Sequence, residues 1–189
     1  MADSPALRLS PLTALAASAL PCPAAELKPA AAAAKFIFRG RANAVAAAGR
    51  AFGSGLPQTA CRAETAGTRS ALWLGPDEWL LIAPEDEAAD IAAGFVAALA
   101  GLPHALVDVG HRSAGLEVCG PQAATVLNCG CPLDLDIGAF AVGMCARTVL
   151  AKAEIVLWRT APDRFRIEVW RSFAAYVWGV LEEARREHR

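Results

Sequence analysis

The sequence predicts an α+β protein made of two similar halves, each an antiparallel sheet with covering helices. Three observations carry that prediction. Short runs rich in β-branched and aromatic residues alternate with Ala-rich segments of helical period. The order strand, helix, strands, helix occurs twice. A short pattern also recurs: Leu72-Trp73 followed by Pro76-Asp77-Glu78-Trp79 returns as Leu157-Trp158 followed by Pro162-Asp163-Arg164-Phe165, with one residue inserted in the turn.

The elements follow in order. Residues 35–39 (KFIFR) read as a strand, and residues 41–52 as an Ala-rich helix closed by Gly53 and Gly55. A hairpin comes next, residues 70–74 and 79–83 around a Gly75-Pro76-Asp77 turn. Residues 85–101 read as a helix burying Ile91, Phe95 and Leu99, with Gly101 and Pro103 ending it. Strands at 106–109 and 116–119 lead to a short helix, with Pro121 at its first position and Gly130-Cys131-Pro132 as its stop. Three strands, 147–150, 154–159 and 165–170, precede a last helix. Ser172 is its expected N-cap, and Phe173, Tyr176, Val177, Val180, Leu181 and Ala184 keep helical spacing along it. Pro5, Pro11, Pro21, Pro23 and Pro29 make residues 1–34 an extended arm, frayed or laid across a partner. The expected organisation is that arm followed by one domain, 35–189, with repeats of about 35–103 and 104–189.

Composition narrows the function. The 189 residues carry 18 Lys+Arg against 19 Asp+Glu, a net charge of −1. Without a basic stripe the chain is not expected to bind nucleic acid, because neutralising phosphates takes clustered cations. No apolar run approaches the roughly 18–20 residues of a membrane span. The apolar stretch at 12–20 is short and Ala-diluted, with only Arg8 upstream and Asp3 opposing it, so a cytoplasmic location is expected rather than secretion. A mean hydropathy of +0.34 leaves more apolar surface than a monomer of this size hides, which points to a partner subunit.

Candidate chemistry is sparse. Glycine-rich phosphate loops, dinucleotide fingerprints, H-E-x-x-H and G-x-S-x-G patterns are all absent from the sequence. Cys119, Cys129, Cys131 and Cys145 lack the repeated C-x₂-C spacing of a zinc site and read as reduced, small buried hydrophobes. The nearest acid–base arrangement is Asp108 before His111 and Arg112, where a carboxylate could orient an imidazole beside an anion-binding guanidinium. The favoured reading is structural, with His111 and Arg112 satisfying backbone carbonyls and a carboxylate at the strand turn, because one charged cluster without a nucleophile is weak evidence of catalysis. Trp73, Trp79, Trp158, Trp170 and Trp178 interleave with Arg159, Arg164, Arg166 and Arg171, a mixture suited to core and to a polar-rimmed protein interface.

Residues 74–81 (LGPDEWLL), 107–112 (VDVGHR), 130–135 (GCPLDL), 142–148 (VGMCART) and 165–173 (FRIEVWRSF) together resemble the gamma-subunit family of heterotetrameric sarcosine oxidase. The likeness runs from about Leu72 to the C-terminus, with Gly110 standing for a usual Ser and Ala141 for a usual Pro. Asp108, Val109, His111, Gly120, Pro121 and Ala123 also resemble the folate-binding aminomethyltransferases, whose paired Asp hairpin is here Ala151-Lys152-Ala153-Glu154-Ile155, without Asp. The resemblance implies the aminomethyltransferase fold without its acidic catalytic group, and a noncatalytic gamma subunit with no cofactor and no metal of its own. FAD, FMN and NAD, and zinc, are then expected in partner alpha, beta and delta subunits. It further implies a share in sarcosine catabolism: oxidative demethylation to glycine with hydrogen peroxide, the one-carbon unit passing to tetrahydrofolate or leaving as formaldehyde. A free-standing folate-dependent aminomethyltransferase-like or folate-binding protein is the alternative. Catalytic residues are expected to be none, and Asp108, His111, Arg112, Arg147, Trp170 and Arg171 are the expected interface or structural residues.

Overall fold

The computed structural model describes residues 10–189. In chain order the strands are β1 (Glu26–Pro29), β2 (Ala33–Gly40), β3 (Ala63–Ala66), β4 (Arg69–Gly75) and β5 (Glu78–Pro84), then β6 (His104–Asp108), β7 (Ser113–Cys119), β8 (Cys145–Leu150), β9 (Ala153–Ala161) and β10 (Arg164–Trp170). The helices are α1 (Thr13–Ser18), α2 (Ala42–Phe52), α3 (Ala88–Ala98), α4 (Ala123–Asn128) and α5 (Ala174–Ala184). Two five-stranded antiparallel sheets result, β3-β4-β5-β2-β6 and β1-β7-β10-β9-β8.

Strict alternation decides which face of each sheet meets what. Along β5, Trp79, Leu81 and Ala83 join Phe36 and Phe38 of β2 under α2 and α3, where Val45, Phe52, Ile91, Phe95 and Leu99 complete a core. Phe38 and Phe95 meet edge-on at 5.7 Å, the arrangement favoured by ring quadrupoles, and the Trp79 indole N–H donates to the Pro57 carbonyl at 2.8 Å. Along β10, Phe165, Ile167 and Val169 face α4 and α5 in the same way, with Val126, Leu127, Val177, Trp178 and Leu181. The opposite faces of the two sheets meet each other: Leu72, Leu74, Leu80 and Ile82 of the first sheet pack with Cys145, Val156 and Trp158 of the second. The layers are therefore helix, sheet, sheet, helix, the α+β architecture expected from the sequence.

The repeat is regular. The element trio of strand, single 3₁₀ turn and helix spans 7, 3 and 11 residues in both halves, starting at 78, 85 and 88 in the first and at 164, 171 and 174 in the second. Both hairpins turn on a Pro-Asp pair, Pro76-Asp77 and Pro162-Asp163.

The arm expectation is corrected. Residues 1–9 lie outside the described residues, but 10–34 are not an extended arm. They hold α1 and β1, and Leu12, Cys22, Ala25 and Leu27 are buried in the core of the second half. Proline still shapes the segment, yet burying these side chains and pairing β1 with β7 outweighs its tendency to stay extended. Gly120 admits the segment: at φ +128°, a Cβ there would sit 2.6 Å from the Ala24 carbonyl oxygen.

The sheets also exchange their outer strands across the sequence boundaries. β6, beyond residue 103, pairs with β2 in the first sheet, and β1, before residue 35, fills the matching place beside β7 in the second. Two further details differ. Ser172 is not an N-cap, because α5 is entered through the 3₁₀ turn Arg171–Phe173 with no side-chain cap. Phe173, just before α5, and Tyr176 on it point outward, while Trp178 on α5 and Arg185 just after it take buried places that the stripe did not include.

Candidate functional site

The contact between the sheets also carries charge. Lys35 on β2 reaches Glu168 on β10 at 2.5 Å, with both side chains buried. Glu168 also accepts from Ser113 Oγ at 2.7 Å and from Arg166 Nε at 2.9 Å, and the Lys35 ammonium donates to the Ser113 carbonyl at 3.2 Å. Burial alone would raise the Glu168 carboxyl, but Lys35 and Arg166, with hydrogen bonds from Lys35 and Ser113, outweigh it and hold it below the usual carboxylate range. A second cross-sheet pair, Arg147 to Glu78 at 2.6 Å, lies nearer the solvent.

Beside this network the sheets part to leave a cleft of about 290 Å³. Ile37, Leu80 and Val107 line its first-sheet wall, and Arg112, Arg147 and Trp170 contribute to the other. Arg112 lies over the Trp170 ring at 3.9 Å, a cation–π contact, and its carbonyl accepts from the Arg171 N–H at 2.7 Å. Outside the cleft mouth, His111, Arg112, Trp170, Arg171, Ser172 and Pro11 surround a shallow depression.

The six residues singled out in the sequence thus separate into groups. Arg112, Trp170, Arg171 and His111 come together, because the β6–β7 turn meets the end of β10. Arg147 joins them only across the cleft. Asp108 does not orient His111: its Oδ1 accepts the Gly110 N–H at 2.8 Å, closing the turn on itself. The acid–base pair considered from the sequence is therefore not assembled in this geometry.

The cysteines are scattered by role. Cys131 and Cys22 are core, Cys129 is exposed, and burial pushes the Cys145 thiol up to about 12, so it stays protonated beside the Trp73 carbonyl. Among the described residues no group of three or more His, Cys, Asp or Glu side chains is arranged to hold a metal ion, and no helix is long and apolar enough to cross a membrane.

Sequence reasoning missed the buried charges. Lys35 and Glu168 alternate with apolar neighbours, which on one strand is the pattern of a solvent face. Arg159 is also buried: its guanidinium donates to the carbonyls of Leu135, Phe140 and Pro162 and lies 4.8 Å over the Phe165 ring, which ties the 131–143 loop to β9. Arg185 is buried at the end of α5 and donates to the carbonyls of Leu20 and Ala25 and to Glu182. Opposite charge on two inward strand faces is the signal that could have found the Lys35–Glu168 pair, once two sheets are allowed to face each other.

Comparison with known proteins places this geometry. The profile of the family described as sarcosine oxidase, gamma subunit, matches residues 39–187. A sarcosine oxidase subunit gamma from Corynebacterium sp. (strain P-1) is 40% identical over 144 residues, covering 75% of this chain and 70% of that protein. One from Arthrobacter sp. is 42% identical over 123 residues, covering 65% of this chain and 60% of its own length. A chain of the heterotetrameric sarcosine oxidase from Corynebacterium sp. U-96, solved in complex with pyrrole 2-carboxylate, superposes with a TM-score of 0.88 at 32% identity over 96% of both chains. The glycine cleavage system aminomethyltransferase T from Bartonella henselae shares the fold at a TM-score of 0.60 and 16% identity, over 88% of this chain and 46% of that one.

Proposed function

The chain belongs to the sarcosine oxidase gamma-subunit family, and from that premise we propose that it serves as the noncatalytic gamma subunit of a cytoplasmic heterotetrameric oxidase. Its partners are alpha, beta and delta subunits, which carry the FAD, FMN, NAD and zinc. The complex demethylates sarcosine oxidatively to glycine, forming hydrogen peroxide and a one-carbon unit that passes to tetrahydrofolate or leaves as formaldehyde. The observation that carries this reading is the superposition over 96% of both chains on a subunit of such an oxidase.

The site residues fit a structural part. Asp108 closes a turn, Arg112 stacks on Trp170, and Arg147 bridges the sheets through Glu78. Removing a general acid or base costs 10²–10⁴ in rate, whereas losing a structural hydrogen bond costs about 0.5–1.5 kcal/mol of stability. His111→Gln and Asp108→Asn are therefore expected to leave the assembled enzyme's kcat within a few-fold of the parent. Co-expression with the three other subunits tests the assignment directly. The expected result is one gamma chain per complex and loss of the assembled oxidase when it is omitted. Full sarcosine-dependent oxygen uptake without this chain, or folate-dependent one-carbon transfer by the chain alone, would overturn it.

A further inference from the structure

We propose that the exposed aromatic strip Trp170, Phe173 and Tyr176 is the face by which this chain docks on another subunit, and that it meets an apolar groove flanked by Asp and Glu carboxylates. This inference rests on the reading of the chain as an oxidase subunit and adds the face and the chemistry of contact.

The repeat supplies an internal control. Trp170, Phe173 and Tyr176 occupy the places held in the first half by Pro84, Glu87 and Asp90, on a strand end, 3₁₀ turn and helix of the same lengths. Whatever the fold requires there, the first half supplies without a ring. In the second half the three rings stand 47%, 42% and 39% exposed, so core packing does not account for them. Phe173 and Tyr176, three apart at the start of α5, neighbour each other on the helix, and Trp170 precedes them at the strand end. Exposed aromatics gathered at one strand end and helix start have the composition of an interface core.

Charge then selects the occupant. The strand end of the strip carries a guanidinium: Arg112 borders the same depression as Trp170. Arg112 forms no ion pair among the described residues, and its stack on Trp170 fixes the plane in which its N–H groups are offered. A planar fork of donors beside rings matches a carboxylate beside an apolar groove. A second copy of this chain is the competing occupant, and protection of the strip in a homodimer would reveal it.

The test uses the co-expressed, assembled oxidase. Trp170→Ser and Tyr176→Ser are each expected to weaken association of this chain on the order of 30-fold, measured by mass photometry on dilution, as truncated interface anchors do. Arg112→Glu is expected to weaken it and to flatten its dependence on salt. Glu87→Ala and Asp90→Ala, at the matching places of the first half, are expected to change nothing. Circular dichroism of the variants should keep the parent's secondary structure, and amides at 170–177 should gain exchange protection in the complex. Normal assembly of the Trp170 and Tyr176 variants removes this inference alone, as does a homodimer that protects the strip. Failure of the parent chain to join the complex removes the subunit reading, and this inference with it.

Discussion

The helix that closes the first half is capped by Leu99, and the helix that closes the second is capped, 86 residues later in the same frame, by Arg185. Both side chains are buried. Leu99 completes an apolar core with Ile91 and Phe95, while Arg185 holds the N-terminal segment by the carbonyls of Leu20 and Ala25. The difference follows from where each sheet finds its outer strand. β6 enters the first sheet soon after α3, whereas β1 comes to the second from the other end of the chain and is fastened there. The inward faces diverge as well: Leu80 and Ile82 on β5 stand where β10 has Arg166 and Glu168. One backbone frame thus tolerates an apolar or a charged solution at equivalent positions, provided each charge finds its partner.

Exchanging these solutions tests how far the halves are equivalent. Lys35→Met should cost most, about 3–5 kcal/mol, because it strands part of a buried carboxylate network. Chemical denaturation checks it, and a loss below 1 kcal/mol would mean that the sheets are held by apolar contact alone. The same network sets the acid response. Glu168 titrates below its unfolded value, so its stabilisation is complete above the ordinary carboxylate pKa of about 4.3 and is lost as pH falls through the lower folded value. Glu168→Gln should therefore flatten the fall in melting temperature below that pH.

Leu99→Ala should cost about 2–5 kcal/mol, the range for opening a cavity in a packed core. Arg185→Leu, which copies the first half into the second, should cost about 1.5–3 kcal/mol by leaving two carbonyls unmet. Hydrogen exchange should locate that loss in residues 20–29 and β7. Loss spread evenly over both sheets would show that the segment is not held by Arg185. The smallest effect is expected from Phe173→Glu with Tyr176→Asp, which imports the first half's surface. Stability should move by about 0.5 kcal/mol or less, as at surface positions away from the core.

Much of this was legible one strand at a time. The hairpin at Pro76-Asp77, its echo at Pro162-Asp163 and the Ile91, Phe95, Leu99 stripe all rest on local period and turn chemistry, and all appear in place. β3 was not anticipated, since its AETA sequence has little strand character and it pairs because β4 offers an edge. The proline-marked segment misled because Leu12, Cys22, Ala25 and Leu27 gain their free energy only against the second half's core. At the candidate site, Arg112 and Trp170 were noticed separately as a cation and a ring. Their stack depends on the β6–β7 turn meeting the end of β10.

The amino-acid sequence by itself determined the two Pro-Asp hairpins, the helices that follow them and the family, because propensity, period and motif spacing act over a few residues at a time. Only the tertiary structure decided that β1 and β6 lie in the sheets opposite to their place in the chain, that Lys35 and Glu168 face each other, and that Trp170, Phe173 and Tyr176 remain outside. Those outcomes depend on which surfaces are left to cover once both halves have formed, a competition among segments far apart in sequence.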